Sequence, residues 1–190
     1  VGADFTTLPP DLPVPEDDGA ADHLTGLELP AGLVLPSSQG GEVDLAAASL
    51  GSMLVVYLYP RTGVPGEPLL EGWDDIPGAR GCTPQSCTYR DSLAEFGALG
   101  AVVIGISAQG PAEQAEFAER EHIPFPLLAD PERKLAGPLG LPTFEAGGLT
   151  LYRRLTLVAE EGRVIKVFYP VFPPDRDAAE VLGWLRSRRA

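Results

Sequence analysis

The sequence predicts an α/β domain, a central mixed sheet flanked by helices, and three observations carry that reading. Met53–Tyr59 (MLVVYLY) and Ala101–Ser107 (AVVIGIS) are continuous apolar runs, as expected of parallel strands covered on both faces. Between them, Tyr89, Leu93 and Phe96 are spaced four and three apart, one face of a helix over 83–98, so strand, helix and strand make a right-handed βαβ unit. Further along, 151–158 and 164–168 flank Glu160-Glu161-Gly162, a hairpin signal, and a last amphipathic segment follows.

Size and charge narrow the function. A chain of 190 residues, 44% hydrophobic and 22% charged, suits one globular domain with a full core. Fourteen Lys and Arg against 27 Asp and Glu leave a net charge of −13, a field that repels phosphate backbones, so nucleic acid is disfavoured as a partner. No apolar run approaches the roughly 20 residues of a membrane span, so no membrane association is expected. The first residues lack the basic and apolar regions of a secretory leader, and the expected compartment is cytoplasmic. There, two cysteines placed close together point to redox chemistry more than to a structural bridge, and two thiolates alone do not fill a zinc site.

In chain order, residues 1–32 read as an irregular arm over the domain surface, with five prolines among mutually repelling acids. Leu33-Val34-Leu35, a Gly40-Gly41 turn and Val43-Asp44-Leu45 predict a short hairpin that opens a single domain over 33–190. After the first buried strand comes a stretch, 61–80, rich in glycine and proline and without periodicity. Twenty such residues far exceed a usual strand-to-helix connection, and their place just before a cysteine favours a functional loop, with Trp73 anchoring it by burial. A helix over 111–121 starts at Pro111, a short strand is expected at 127–129, and Asp130-Pro131 suggests another brief helix. The final helix is expected from about Asp175 as cap, burying Ala178, Val181, Leu182 and Leu185. A βαβ unit, a further helix, a hairpin and a closing helix spell the thioredoxin-like plan.

The segment Gly81-Cys82-Thr83-Pro84-Gln85-Ser86-Cys87 carries the chemistry. Pro84 has no N–H and belongs in the first turn of a helix, which places Cys82 at or just before that turn. Unpaired backbone N–H groups and the positive dipole end favour negative charge there, the form in which a thiol attacks electrophiles, and Arg80 adds to the effect. Cys87 lies five residues on. Within one helix that spacing means a rise of about 7.5 Å and Cα atoms roughly 8.6 Å apart, beyond the about 7 Å limit for a disulfide. A bond between the two requires the first turn to unwind. From spacing alone, two buried structural thiols remain an open alternative.

At this point the chain resembles a known family. MLVVYLYP, GCTPQSC leading into YRD, VVIGISAQ, FPLLADPE and RRLTLVAEEGRV together look like a peroxiredoxin, and the cysteine spacing resembles the bacterioferritin comigratory protein branch; the likeness spans about 33–167. The resemblance implies Cys82 as peroxidatic cysteine, Cys87 as resolving cysteine, Arg154 as the active-site arginine and Pro60 as the proline shielding the sulfur. It also implies hydrogen peroxide or organic hydroperoxides as substrates and an intramolecular disulfide recycled by thioredoxin or another dithiol reductant. No metal or organic cofactor is expected, and a monomer is the favoured state.

One position departs from the pattern. The family's threonine three residues before the peroxidatic cysteine is here Ala79, preceded by the insertion, and Thr62 is the candidate to supply the missing hydroxyl. Arg153 and Arg154 fall in an expected strand, whose alternation sends only one of them toward the site. Two other functions stay in view: a thiol–disulfide oxidoreductase, disfavoured by the cysteine spacing, and a catalytically weak redox sensor, which Ala79 would favour. His23, His122 and the run Glu113, Glu116, Glu119 and Glu121 are read as structural or solvated. Tyr169–Pro174 is read as a rigid connection into the last helix rather than an apolar wall of the site.

Overall fold

The computed structural model describes residues 4–189; positions 1–3 of the expected arm and position 190 of the domain lie outside the described residues. Its centre is a five-stranded sheet of β3 (Met53–Leu58), β4 (Ala101–Ser107), β5 (Leu127–Ala129), β8 (Leu155–Glu160) and β9 (Arg163–Phe168), in the order β5-β4-β3-β8-β9. β3 runs parallel to β4, with Val55 opposite Val103, and antiparallel to β8, with Tyr57 opposite Thr156. β3 is continuously apolar because it is central and both of its faces are covered. Leu54, Val56 and Leu58 meet one core with Leu24, Leu128 and Leu157, while Val55, Tyr57 and Tyr59 meet another with Phe96, Phe117 and Leu182. Full burial of each such side chain contributes about 1.5–3 kcal/mol, so these two layers are the main support of the fold.

Several expected elements take a different form. The helix over 83–98 is two helices, α2 (Cys82–Asp91) and α3 (Leu93–Ala98), joined at Ser92. The brief helix starts later than Asp130-Pro131. Asp130 instead accepts the amides of Lys134 and Leu135 and the Tyr152 hydroxyl, and α5 spans Ala136–Leu139. The strand expected over 151–158 is broken at Arg153-Arg154: β7 (Leu149–Tyr152) folds back across Gly147-Gly148 onto β6 (Thr143–Ala146) as a separate ribbon. Asp175 lies in a short 3-10 turn, Pro174–Arg176, and the last helix, α6, spans Asp177–Arg189 with the expected four residues buried. The first hairpin forms as β1 (Val34–Pro36) and β2 (Glu42–Asp44), followed by a single turn, α1 (Leu45–Ala48), capped by the Asp44 carboxylate. The remaining helix, α4 (Pro111–Arg120), is as expected.

The arm does more than lie on the surface. Its backbone is irregular, but Ala21, Leu24 and Leu29 are buried in the core, and Phe5 is buried against Gly63 and Arg80 of the insertion. The insertion is likewise folded. Trp73 and Ala79 pack with Ala146 of β6 and Leu151 of β7, so the expected anchoring by Trp73 is observed. Both segments converge on the N-terminus of α2. No helix of the described residues is long and apolar enough to cross a membrane.

Candidate active site

Gly81 sets the start of α2. Its φ is +107°, and a Cβ there would stand 2.7 Å from Pro174 Cγ and 2.8 Å from Leu8 Cδ2, so glycine alone fits the backbone and the space. The Gln85 amide donates to the Gly81 carbonyl as the first helical bond, leaving the amides of Cys82 and Thr83 unpaired within the helix. Cys82 is the first helical residue and only 3% exposed.

Its sulfur meets one cation. Arg154 Nη2 lies 3.2 Å from Sγ, and the same guanidinium donates to the carbonyls of Gly78, Ala79 and Arg80 and to Gln85 Oε1. Three carbonyls and an amide oxygen fix the plane of the group, so the Arg154–sulfur contact is built by the backbone of the insertion's last turn. As a thiol, Cys82 has the Ala79 carbonyl 3.8 Å away as an acceptor. Arg153 points away, to Asp18, Tyr169 and the Thr143 carbonyl. The two arginines do separate to opposite sides, but from the connection between β7 and β8 rather than from a strand.

Behind Arg154 is a buried network that sequence reasoning missed. Gln85 Nε2, Tyr89 Oη and Thr156 Oγ1 all donate to Asp177 Oδ2, at 2.7–2.8 Å. Burial pushes the Asp177 carboxyl above the usual carboxylate range, against the pull of those donors, and its Oδ1 has no partner. By holding Nε2, Asp177 turns Oε1 of Gln85 toward Arg154. The only sequence signal was the place of Gln85 one turn after Cys82.

Cys87 sits on the same helix, half-buried, with Sγ 3.7 Å from Glu121 Oε2 at the end of α4. Burial pushes its thiol up, Arg90 pulls it down, and Glu121 pushes it further up. Both cysteines are free, and both are helical, so the unwinding expected for a disulfide applies to this arrangement.

Thr62 and Cys82 line one cleft of about 250 Å³, with Phe5 of the arm and Val64, Leu70 and Trp73 of the insertion. Thr62 is buried; its amide and hydroxyl both donate to Gln109 Oε1, at 2.9 and 3.1 Å. Ala79, where a threonine was expected, is fully buried in the small core around Trp73. Pro60 is buried at the end of β3, but it is not among the residues lining this cleft; its carbonyl accepts the Ser107 hydroxyl. A second cleft, about 450 Å³, opens on Arg154 from beside Arg153, and Tyr169, Pro170 and Val171 form part of its wall, a larger part in the site's surroundings than a mere connection. Among the described residues, no group of three or more His, Cys, Asp or Glu side chains could hold a metal ion.

Known proteins resemble this chain in sequence and in fold. The Redoxin family matches residues 18–182. The chloroplastic peroxiredoxin Q of Populus jackii is 32% identical over 161 residues, covering 84% of this chain and 67% of that protein. The crystal structure of peroxidoxin BcpB from Mycobacterium tuberculosis superposes with a TM-score of 0.71 at 28% identity, over 88% of this chain and 100% of that one. A structure of Xanthomonas campestris peroxiredoxin Q gives a TM-score of 0.67 at 25% identity, over 86% and 98% of the two chains.

Proposed function

This chain belongs to the Redoxin family and, within it, to the peroxiredoxins, which are thiol peroxidases; on that premise we propose that Cys82 is its peroxidatic cysteine, Cys87 its resolving cysteine and Arg154 the cation that carries the reaction. The observation that supports these roles best is the contact of Arg154 Nη2 with Cys82 Sγ at a helix N-terminus, where Cys82 lines the cleft formed by the insertion and Arg154 reaches the sulfur from the side of the second cleft.

The steps follow from the groups present. The Cys82 thiolate attacks the hydroxyl oxygen of a hydroperoxide, the O–O bond breaks, and the sulfur becomes a sulfenic acid. The leaving alkoxide or hydroxide takes a proton from water. Negative charge grows on that oxygen, and the Arg154 guanidinium and the free amides of the first turn of α2 stand ready to stabilise it. Thr62 lends a hydroxyl to the same cleft in place of the threonine absent at Ala79. The first turn of α2 then unwinds, the Cys87 thiol displaces the sulfenic oxygen as water, and a disulfide forms. A dithiol reductant of the thioredoxin class returns both sulfurs to thiols by exchange.

The test couples peroxide consumption to NADPH through thioredoxin and thioredoxin reductase. Cys82→Ser should abolish turnover. Treating the reduced protein with one equivalent of peroxide should give a product lighter by two hydrogens, with Cys82 and Cys87 joined in its peptide map. Full turnover by Cys82→Ser would overturn the assignment.

A further inference from the structure

Gln109 stands at the end of β4, just before the glycine that opens α4, and it is only 3% exposed. A buried amide must be satisfied, and the partners of this one are unusual. Its Oε1 faces three donors: the Thr62 amide at 2.9 Å, the Thr62 hydroxyl at 3.1 Å and the Ser107 hydroxyl at 3.2 Å. A backbone N–H can only donate, so the atom opposite Thr62 must be the oxygen. Thr62 lies at the start of the insertion, past Leu58 where β3 ends, beyond the ladder that would have paired its amide.

We propose that Gln109 is a positioning residue of the peroxidase, holding Thr62 so that its hydroxyl can be lent to a peroxide bound over Cys82. This rests on the reading of Thr62 given above. A carbonyl oxygen offers two lone pairs, and here it faces three donors. The Thr62 amide is fixed in place. The single Ser107 hydrogen has two acceptors within reach, Gln109 Oε1 and the Pro60 carbonyl at 3.1 Å. When a peroxide takes the Thr62 hydrogen bond, the Ser107 hydroxyl turns to Gln109 and the vacated lone pair is filled again. Of the two hydroxyl donors, only that of Thr62 belongs to a residue lining the cleft of Cys82; Ser107 does not line it. Gln109 thereby couples the end of the sheet to the first residues of the insertion and does so without touching the sulfur.

The experiment measures the second-order rate with hydrogen peroxide by stopped flow in T62V, Q109L and the double variant. In parallel, iodoacetamide alkylation of Cys82 is followed in the C87S background. T62V and Q109L should each slow the peroxide reaction at least about 10-fold. The double variant should be no slower than the slower single, the mark of two residues acting as one unit. Q109E, which keeps an acceptor, should recover most of the rate. Alkylation should stay within about twofold throughout, because Arg154 and the helix start are untouched. A slow T62V beside an unaffected Q109L would overturn the role of Gln109 and leave Thr62 standing. Losses that add in the double variant would do the same, as would alkylation that falls in step with the peroxide rate. A T62V enzyme at full rate would overturn the Thr62 reading itself, whereas the Cys82 assignment is tested separately by C82S. If Q109L does not fold, Q109N withdraws the acceptor by one methylene and carries the same expectations.

Discussion

The guanidinium of Arg154 reaches the sulfur of Cys82 across 72 residues of sequence, and its remaining hydrogen bonds go to oxygens that hold it there. Arg154→Met should therefore lower kcat/KM for hydrogen peroxide about 100- to 1000-fold, the range for losing one donor aimed at developing charge. Arg154→Lys should recover little, since an ammonium cannot span three carbonyls and the sulfur at once. Stopped-flow peroxide reduction checks both.

Gly81 offers a backbone test of the same site. Gly81→Ala combines a left-handed φ with a Cβ pressed on Pro174 and Leu8, a strain of about 1–3 kcal/mol. The expected outcome is a lower Tm together with a slower reaction at Cys82, because the start of α2 must shift to relieve the contact. An alanine variant with unchanged melting and unchanged rate would contradict that account.

Asp177→Ala leaves three buried donors, on Gln85, Tyr89 and Thr156, without their shared acceptor. The expected loss of stability is about 3 kcal/mol or more, read from urea unfolding. The native carboxyl is raised by burial, so its pH dependence has a definite sign. Above the ordinary carboxylate value the unfolded chain releases its proton first, and stability declines with rising pH until the buried group ionises as well. Asp177→Asn should remove that decline from the profile.

The resolving step should also depend on pH. Burial raises the Cys87 thiol in the wound helix, and unwinding exposes it to water. Above the ordinary thiol range of about 8.5, the unwound form gives up its proton more readily, so alkaline conditions favour unwinding. Disulfide formation after a peroxide pulse should accelerate with pH from that region and level off above the raised value of the native thiol. Glu121→Gln should bring the levelling-off to a modestly lower pH, since it removes one of the groups that raise the native thiol while burial, the larger cause, remains. Quenched-flow mass analysis separates the outcomes.

What was legible in the sequence follows from how local each feature is. β3 and β4 were readable because burial on both faces writes an unbroken apolar run, and Pro84 alone located the start of α2. The β6–β7 ribbon was missed because each strand has four residues and only part of each is buried, although Gly147-Gly148 marked its turn. Arg154 was named through the family resemblance, and the strand expected to carry it is broken there, between Tyr152 and Leu155. Its orientation comes from carbonyls 74 to 76 residues away, which no local pattern encodes. Asp177 was unreadable for the same reason. Its partners lie on α2 and β8, and a helix-opening aspartate usually signals nothing more than a solvated cap.

Gly81 is wedged between Leu8 and Pro174, and the sulfur beside it is in contact with Arg154. During synthesis, position 82 leaves the ribosome while the lower half of its surroundings is still untranslated. A growing chain thus displays a cysteine with Leu8 and the insertion beside it but without its cation or the Pro174 wall until positions 154 and 174 have emerged. Before that point the sulfur has no guanidinium beside it.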